Sequence, residues 1–114
     1  MNSNEISAAR VLELVSLLPN FSSKCSDSIQ QAAFIIAKAF KAGSKILICG
    51  NGGSAADSQH FAAELVSAFS REISRPAISA LSLTVDTSII TAFSNDFNFE
   101  NVFARQVDAH GKKF

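Results

Sequence analysis

Tryptophan and tyrosine are missing from this sequence of 114 residues, and methionine occurs once. The two cysteines, Cys25 and Cys49, have neither metal-ligand spacing nor a paired redox motif, so they are expected to be small buried hydrophobes. Charge of either sign is not in excess: ten basic and ten acidic residues cancel, leaving no overall electrostatic footprint for nucleic acid or an anionic membrane. The amino-terminal stretch MNSNEISAARVLEL has no long apolar run and meets an acid before a base, which argues against a signal peptide or a membrane span. A cytoplasmic chain is expected. Asn20-Phe21-Ser22 matches a glycosylation acceptor, but without a secretory signal the match is chance.

What the chain has is apolar bulk. A hydrophobic fraction of 47% with ten phenylalanines describes a globular chain, and its length suits one domain with one core. Residues 4–18 read as a first helix ended by Pro19-Asn20. In a second helix Ile29, Ala32, Ala33, Ile36, Ala37 and Phe40 form one stripe, closed by Gly43. Residues 1–43 are thus expected to form a helical hairpin.

Beyond it the pattern changes. Ile46-Leu47-Ile48-Cys49 is a continuous apolar run between turn signals, read as a strand covered on both faces. A helix from Ser54 to about Phe69 follows, with Ser58, Phe61, Ala62, Leu65, Val66 and Phe69 on one side, until Arg75-Pro76. Residues 77–83 read as a second strand, and Asp86 as the N-cap of a helix over 87–93. After a turn at Ser94-Asn95-Asp96, a last helix from about Phe99 buries Val102, Phe103 and Val107, with Gln106 at the boundary, and closes at His110-Gly111. Two successive βα units predict an α/β fold with a parallel sheet and flanking helices. Two strands are too few to complete such a sheet, so 44–114 are expected to be the first part of a larger α/β domain.

The chemistry concentrates after the first strand. Gly50-Asn51-Gly52-Gly53-Ser54 lies at a strand's carboxyl end, where open α/β sheets bind ligands. Glycines permit close backbone approach, and amides at a helix start attract phosphate; Ser54 can cap that helix. The same glycines also suit a plain tight turn. A dinucleotide turn fits loosely through Gly50, Gly52 and Ala55, but Glu72 does not follow a second strand, where a ribose-binding acid belongs. His60 and Glu64, four residues apart on a helix, can share a metal or a substrate, and Asp57 adds a third polar group. Those three are expected broadly opposite the stripe of Phe61, Leu65 and Phe69, where a solvated face is the alternative reading. A second subunit packing there could close it into a site.

Taken together, CGNGGSAADSQHFAAEL, Pro76-Ala77-Ile78, residues 84–91 and NDFNFENVFARQVDAHG resemble the phosphoheptose isomerases of the sugar isomerase (SIS) domain family. The resemblance is close over about 45–111 and looser before it. It implies a doubly wound α/β fold, usually in a homotetramer with sites between subunits. It also implies isomerisation of sedoheptulose 7-phosphate to D-glycero-D-manno-heptose 7-phosphate, the entry to lipopolysaccharide heptose. Matched positions carry roles: Asn51, Gly52, Gly53, Ser54, Asn95 and Asp96 at the substrate, His60 and Glu64 as zinc ligands, Glu64 also as the catalytic base. Moving a carbonyl between C1 and C2 needs a base at the neighbouring carbon, and a metal could polarise the carbonyl.

The family's Ser/Thr-rich phosphate loop and its late-helix glutamine and histidine have no counterpart here, and His110, at a helix end, suits a dipole contact. The chain is therefore expected to hold an incomplete site, inactive by itself, and to self-associate. The alternative within the same family is a non-enzymatic protein that binds the bacterial replication initiator. Such proteins share the glycine turn and the His-Phe-Ala-Ala run but tend to lack the glutamate at Glu64.

Overall fold

The computed structural model describes residues 2–112 and divides into two units, Met1–Ala37 and Lys38–Phe114. Met1 and the last two positions of the expected 44–114 segment lie outside the described residues.

Helix α1 runs from Ser3 to Lys41 without interruption. It opens with a reciprocal cap: the Glu5 amide donates to Asn2 Oδ1 at 3.0 Å, and the Asn2 amide donates to Glu5 Oε2 at 2.9 Å. Two otherwise orphaned donors are satisfied at once. The expected break at Pro19 and the hairpin over 1–43 are not found, since Pro19 sits inside the helix. Proline removes one hydrogen bond and crowds the carbonyl four residues back, at about 3 kcal/mol. A reversal would need more than that. No glycine precedes Gly43, which adopts φ +72° just past Lys41, and no residue other than glycine has positive φ among those described. The chain lacks a left-handed turn until Gly43 supplies it. α1 buries none of its residues completely, and leaves Leu14, Leu17, Leu18, Phe21 and Phe34 exposed. Cys25 is half-buried, and Cys49, expected to be buried, is exposed.

In the second unit, β1 (Ile46–Ile48), α2 (Gly53–Val66), β2 (Ala80–Ser82), α3 (Thr87–Asp96) and α4 (Val102–His110) follow in order. β1 and β2 pair in parallel, Ile46 opposite Ala80, Leu47 opposite Leu81 and Ile48 opposite Ser82. The ladder continues at either end, where the Ile46 amide donates to the Ser79 carbonyl and the Leu83 amide to the Ile48 carbonyl. Parallel strands joined through α2 make the expected βα unit. Both strands are shorter than expected, and β1 is half-buried rather than covered on both faces, because a two-stranded sheet has too little around it to enclose either surface.

The core is small. Leu83 and Val102 are its fully enclosed large side chains, joined by Ala62 and the polar Ser58, Ser82 and Gln106. Gln106, expected at the boundary, is buried, and Val107, expected inside, is 45% exposed. The reason is a polar bond: Gln106 Nε2 donates to the Leu83 carbonyl at 3.0 Å and the Val102 carbonyl at 3.3 Å, so α4 turns this face inward. α3 starts as expected, with the Ile89 amide donating to Asp86 Oδ1 at 2.9 Å. It runs further than expected and takes in the turn placed at Ser94-Asn95-Asp96. No helix among the described residues is long and apolar enough to cross a membrane.

Candidate functional site

The glycine turn joins the carboxyl end of β1 to α2. A β-carbon on Gly50 would lie 2.5 Å from the Ser54 carbonyl oxygen, so only glycine lets the turn close against the first turn of α2. Gly52, at φ +55°, occupies the N-cap position with no side-chain cap. Ser54 is therefore inside the helix rather than its cap, and its carbonyl accepts from the buried Ser58 hydroxyl at 2.7 Å. The Ser54 amide turns back to the Asn51 carbonyl at 3.0 Å, while the Gly52 and Gly53 amides find no partner among the described residues. Asn51, Gly52, Gly53 and Ser54 are all exposed. Free amides at the positive end of a helix dipole form a site for an anionic oxygen.

The end of β2 is tied to this helix start by hydroxyls. Thr84 Oγ1 lies 2.7 Å from Ser82 Oγ and donates to the Ala55 carbonyl at 3.3 Å.

Further along α2, Asp57, His60, Phe61, Glu64 and Leu65 line a cavity of about 500 Å³ together with Phe69, expected on the helix, and Arg75, both of which lie beyond its end. The polar trio was expected opposite the phenylalanine stripe; here the two share one cavity. At about 100° per residue, positions 57, 60, 61, 64 and 65 fall within one continuous arc, and the buried side belongs to the small residues Ser58 and Ala62. Small side chains let α2 sit close to the sheet, while Phe61 and Phe69 remain 45% and 79% exposed.

Within the cavity, His60 Nε2 lies 3.5 Å from Glu64 Oε1. Glu64 Oε2 is buried and has no hydrogen-bond partner. A buried carboxylate oxygen without a donor is costly, which makes Glu64 a candidate for contact with a ligand. His60 and Glu64 offer a metal one nitrogen and one carboxylate from adjacent turns, a donor pair suited to zinc. No group of three His, Cys, Asp or Glu side chains that could hold a metal comes together among the described residues.

Asn95 and Asp96 end α3, exposed, with Asn95 Nδ2 donating to Asp96 Oδ1 at 2.9 Å. They do not line the cavity of His60 and Glu64, and neither does the glycine turn. From Gly53 to His60 the helix rises about 10 Å, at 1.5 Å per residue. Arg75, read from sequence only as a breaker beside Pro76, is the cavity residue that reading missed. Its signal was weak: α2 has no basic residue in its last turn, and Arg75 lies further along the connection to β2 than Arg71 does.

A family model described as a SIS domain matches residues 11–113. The chain belongs to the SIS-domain family. This SIS-domain chain is 50% identical over 102 residues to the phosphoheptose isomerase of Akkermansia muciniphila, covering 88% of this chain and 53% of that protein. It is 44% identical over 108 residues to the phosphoheptose isomerase of Chlorobaculum parvum, covering 95% of this chain and 52% of that one. The solved phosphoheptose isomerase of Neisseria gonorrhoeae superposes with a TM-score of 0.88 at 38% identity, over 97% of this chain and 56% of its own. That of Francisella tularensis superposes with a TM-score of 0.92 at 33% identity, over 99% and 58%. The SIS-domain chain thus spans about half the length of the relatives it matches, and their fold includes the arrangement of helices and parallel strands described above.

Proposed function

We propose that this chain is the amino-terminal part of a phosphoheptose isomerase, an aldose–ketose isomerase acting on sedoheptulose 7-phosphate. The observation that carries the reading is Glu64, whose buried Oε2 has no partner and whose Oε1 lies 3.5 Å from His60 in a cavity on a helix opened by an anion-binding turn. The similarity to phosphoheptose isomerases supports the reading.

In this mechanism Glu64 takes a proton from C1 of the ketose and returns it to C2, while the O1 hydroxyl gives up its proton and the C2 carbonyl oxygen gains one, so that the carbonyl moves from C2 to C1 with no net change in protons. Burial without a hydrogen-bond donor leaves Oε2 free to carry that proton between the two carbons. The exposed amides of Gly52 and Gly53, with Asn51 and Ser54 beside them, hold anionic or hydroxyl oxygens of the substrate, and Asn95 and Asp96 supply further polar contacts. Zinc held by His60 and Glu64, with other ligands completing the set, would supply polarisation of the sugar carbonyl. Phe61 and Phe69, exposed at the cavity, fit a site closed by another subunit of a homotetramer. The reading includes a cytoplasmic protein that feeds heptose to lipopolysaccharide synthesis.

Initiator binding draws on the same glycine turn, and the position of Glu64 in the cavity favours the isomerase. The test is turnover: the protein in its full natural length, supplied with sedoheptulose 7-phosphate, forms D-glycero-D-manno-heptose 7-phosphate. No product with folded, zinc-supplied protein sinks the reading.

A further inference from the structure

Helix α2 ends with a problem. Its last carbonyls have no partners within the helix, its negative dipole end lies in the same turn as the acidic Glu64, and no basic residue stands in that turn to compensate. Arg75 answers from outside the helix. Its Nη1 donates to the Leu65 carbonyl at 2.8 Å and to the Pro76 carbonyl at 3.0 Å, and its Nη2 donates to the carbonyl of Glu64 itself. The Leu65 carbonyl also accepts from the Ile78 amide at 3.1 Å, so the connection leading to β2 is pinned to the same turn.

What the guanidinium leaves alone is equally informative. Arg75 lines the cavity with Glu64, yet it forms no ion pair with the Glu64 carboxylate, and Oε2 stays unpartnered. A direct bidentate pair would fill the carboxylate's lone pairs and oppose its protonation. By binding the main-chain carbonyls of Glu64 and Leu65, Arg75 fixes the backbone that carries the Glu64 side chain and leaves the tip of that side chain open.

We propose that Arg75 is a positioning residue for Glu64: it clamps the backbone of the α2 terminus that carries the base and connects it to β2, without engaging the carboxylate. The proposal rests on the isomerase reading for its catalytic consequence, but the clamp itself does not. A planar fork reaching two carbonyls at once is a task for arginine, and a lysine ammonium replaces the charge without the geometry.

The experiment compares Arg75→Ala and Arg75→Lys with the parent in the protein at its full natural length. Amide hydrogen exchange is read at Ser67, which donates to the Ala63 carbonyl at 2.8 Å, and at Ile78. Turnover of sedoheptulose 7-phosphate is read as kcat and KM separately. Expected are exchange at both amides about 10-fold faster or more in Arg75→Ala, and kcat lowered about 10- to 100-fold with KM within about 3-fold, since a shift in the base alters the proton-transfer step. Arg75→Lys, the variant to use if alanine does not fold, is expected between the two. Unchanged exchange in a folded variant overturns the clamp. Faster exchange with parental kcat overturns its positioning role and leaves a structural brace. A parent protein that turns nothing over removes the isomerase reading instead, and the exchange measurement then decides the clamp by itself.

Discussion

His60 and Glu64 face each other across one turn of α2, with Nε2 and Oε1 3.5 Å apart, while the second oxygen of Glu64 is buried and unpaired. The two oxygens of one carboxylate thus have different surroundings, and the proposed mechanism would use Oε2 for the proton.

Replacing Glu64 with glutamine keeps its size and removes its basicity. In the full-length protein Glu64→Gln is expected to lower kcat by about 100- to 10,000-fold, the usual range for losing a general base, while the melting temperature holds or rises because the orphaned oxygen no longer carries charge. Steady-state kinetics beside a thermal melt checks both; parental turnover would show that the base lies elsewhere.

The two glycines of the turn should respond differently to alanine. At Gly50 the added methyl meets the Ser54 backbone at 2.5 Å, whereas at Gly52 it meets open space and only the positive φ opposes it. Gly50→Ala is expected to cost about 3 kcal/mol or more, by displacing backbone, and Gly52→Ala about 1–2 kcal/mol. Urea unfolding of the two variants orders them, and the reverse order would contradict the turn geometry.

Asp86 holds the start of α3 through one bond to the Ile89 amide. Asp86→Ala is expected to destabilise by about 1 kcal/mol and Asp86→Asn by less, since asparagine is an equally good cap. Chemical denaturation measures the difference; equal losses would mean the carboxylate acts by charge rather than as an acceptor.

Leu14, Leu17, Leu18 and Phe21 on α1 are exposed apolar side chains, and the proposed homotetramer would be expected to cover them. Leu14→Glu or Phe21→Glu is expected to weaken self-association at least 10-fold, the equivalent of about 1.4 kcal/mol, as seen by sedimentation velocity across a concentration series. An unaffected profile would remove α1 from the interface.

Sequence showed the βα order, the Asp86 cap and the glycine turn because each rests on local chemistry: an apolar run, an aspartate before a helix, small residues at a strand end. It misplaced what depends on partners. Pro19 looked like a terminator, yet a proline stops a helix only when something nearby favours leaving it, and no glycine lay there to do so. Ser58, Phe61, Ala62, Leu65 and Phe69 fall on one side of the expected helix, yet of these only Ser58 and Ala62 are buried, because their small size permits closer approach to the sheet. Gln106 is buried for a bond to Leu83, a residue 23 positions away that no helical periodicity can anticipate. Arg75 was hidden for the same reason, its partners being carbonyls, which every residue has.

The parallel register of β1 and β2 carries a consequence for how the sheet can grow. Both strands point the same way, so Gly50 and Thr84 emerge from the same rim. Any strand added to either edge in the same direction delivers its following loop to that rim as well. Extension of the sheet would thus gather new loops around the glycine turn without moving a residue already in place, and the ladder of three paired residues sets the address at which they arrive.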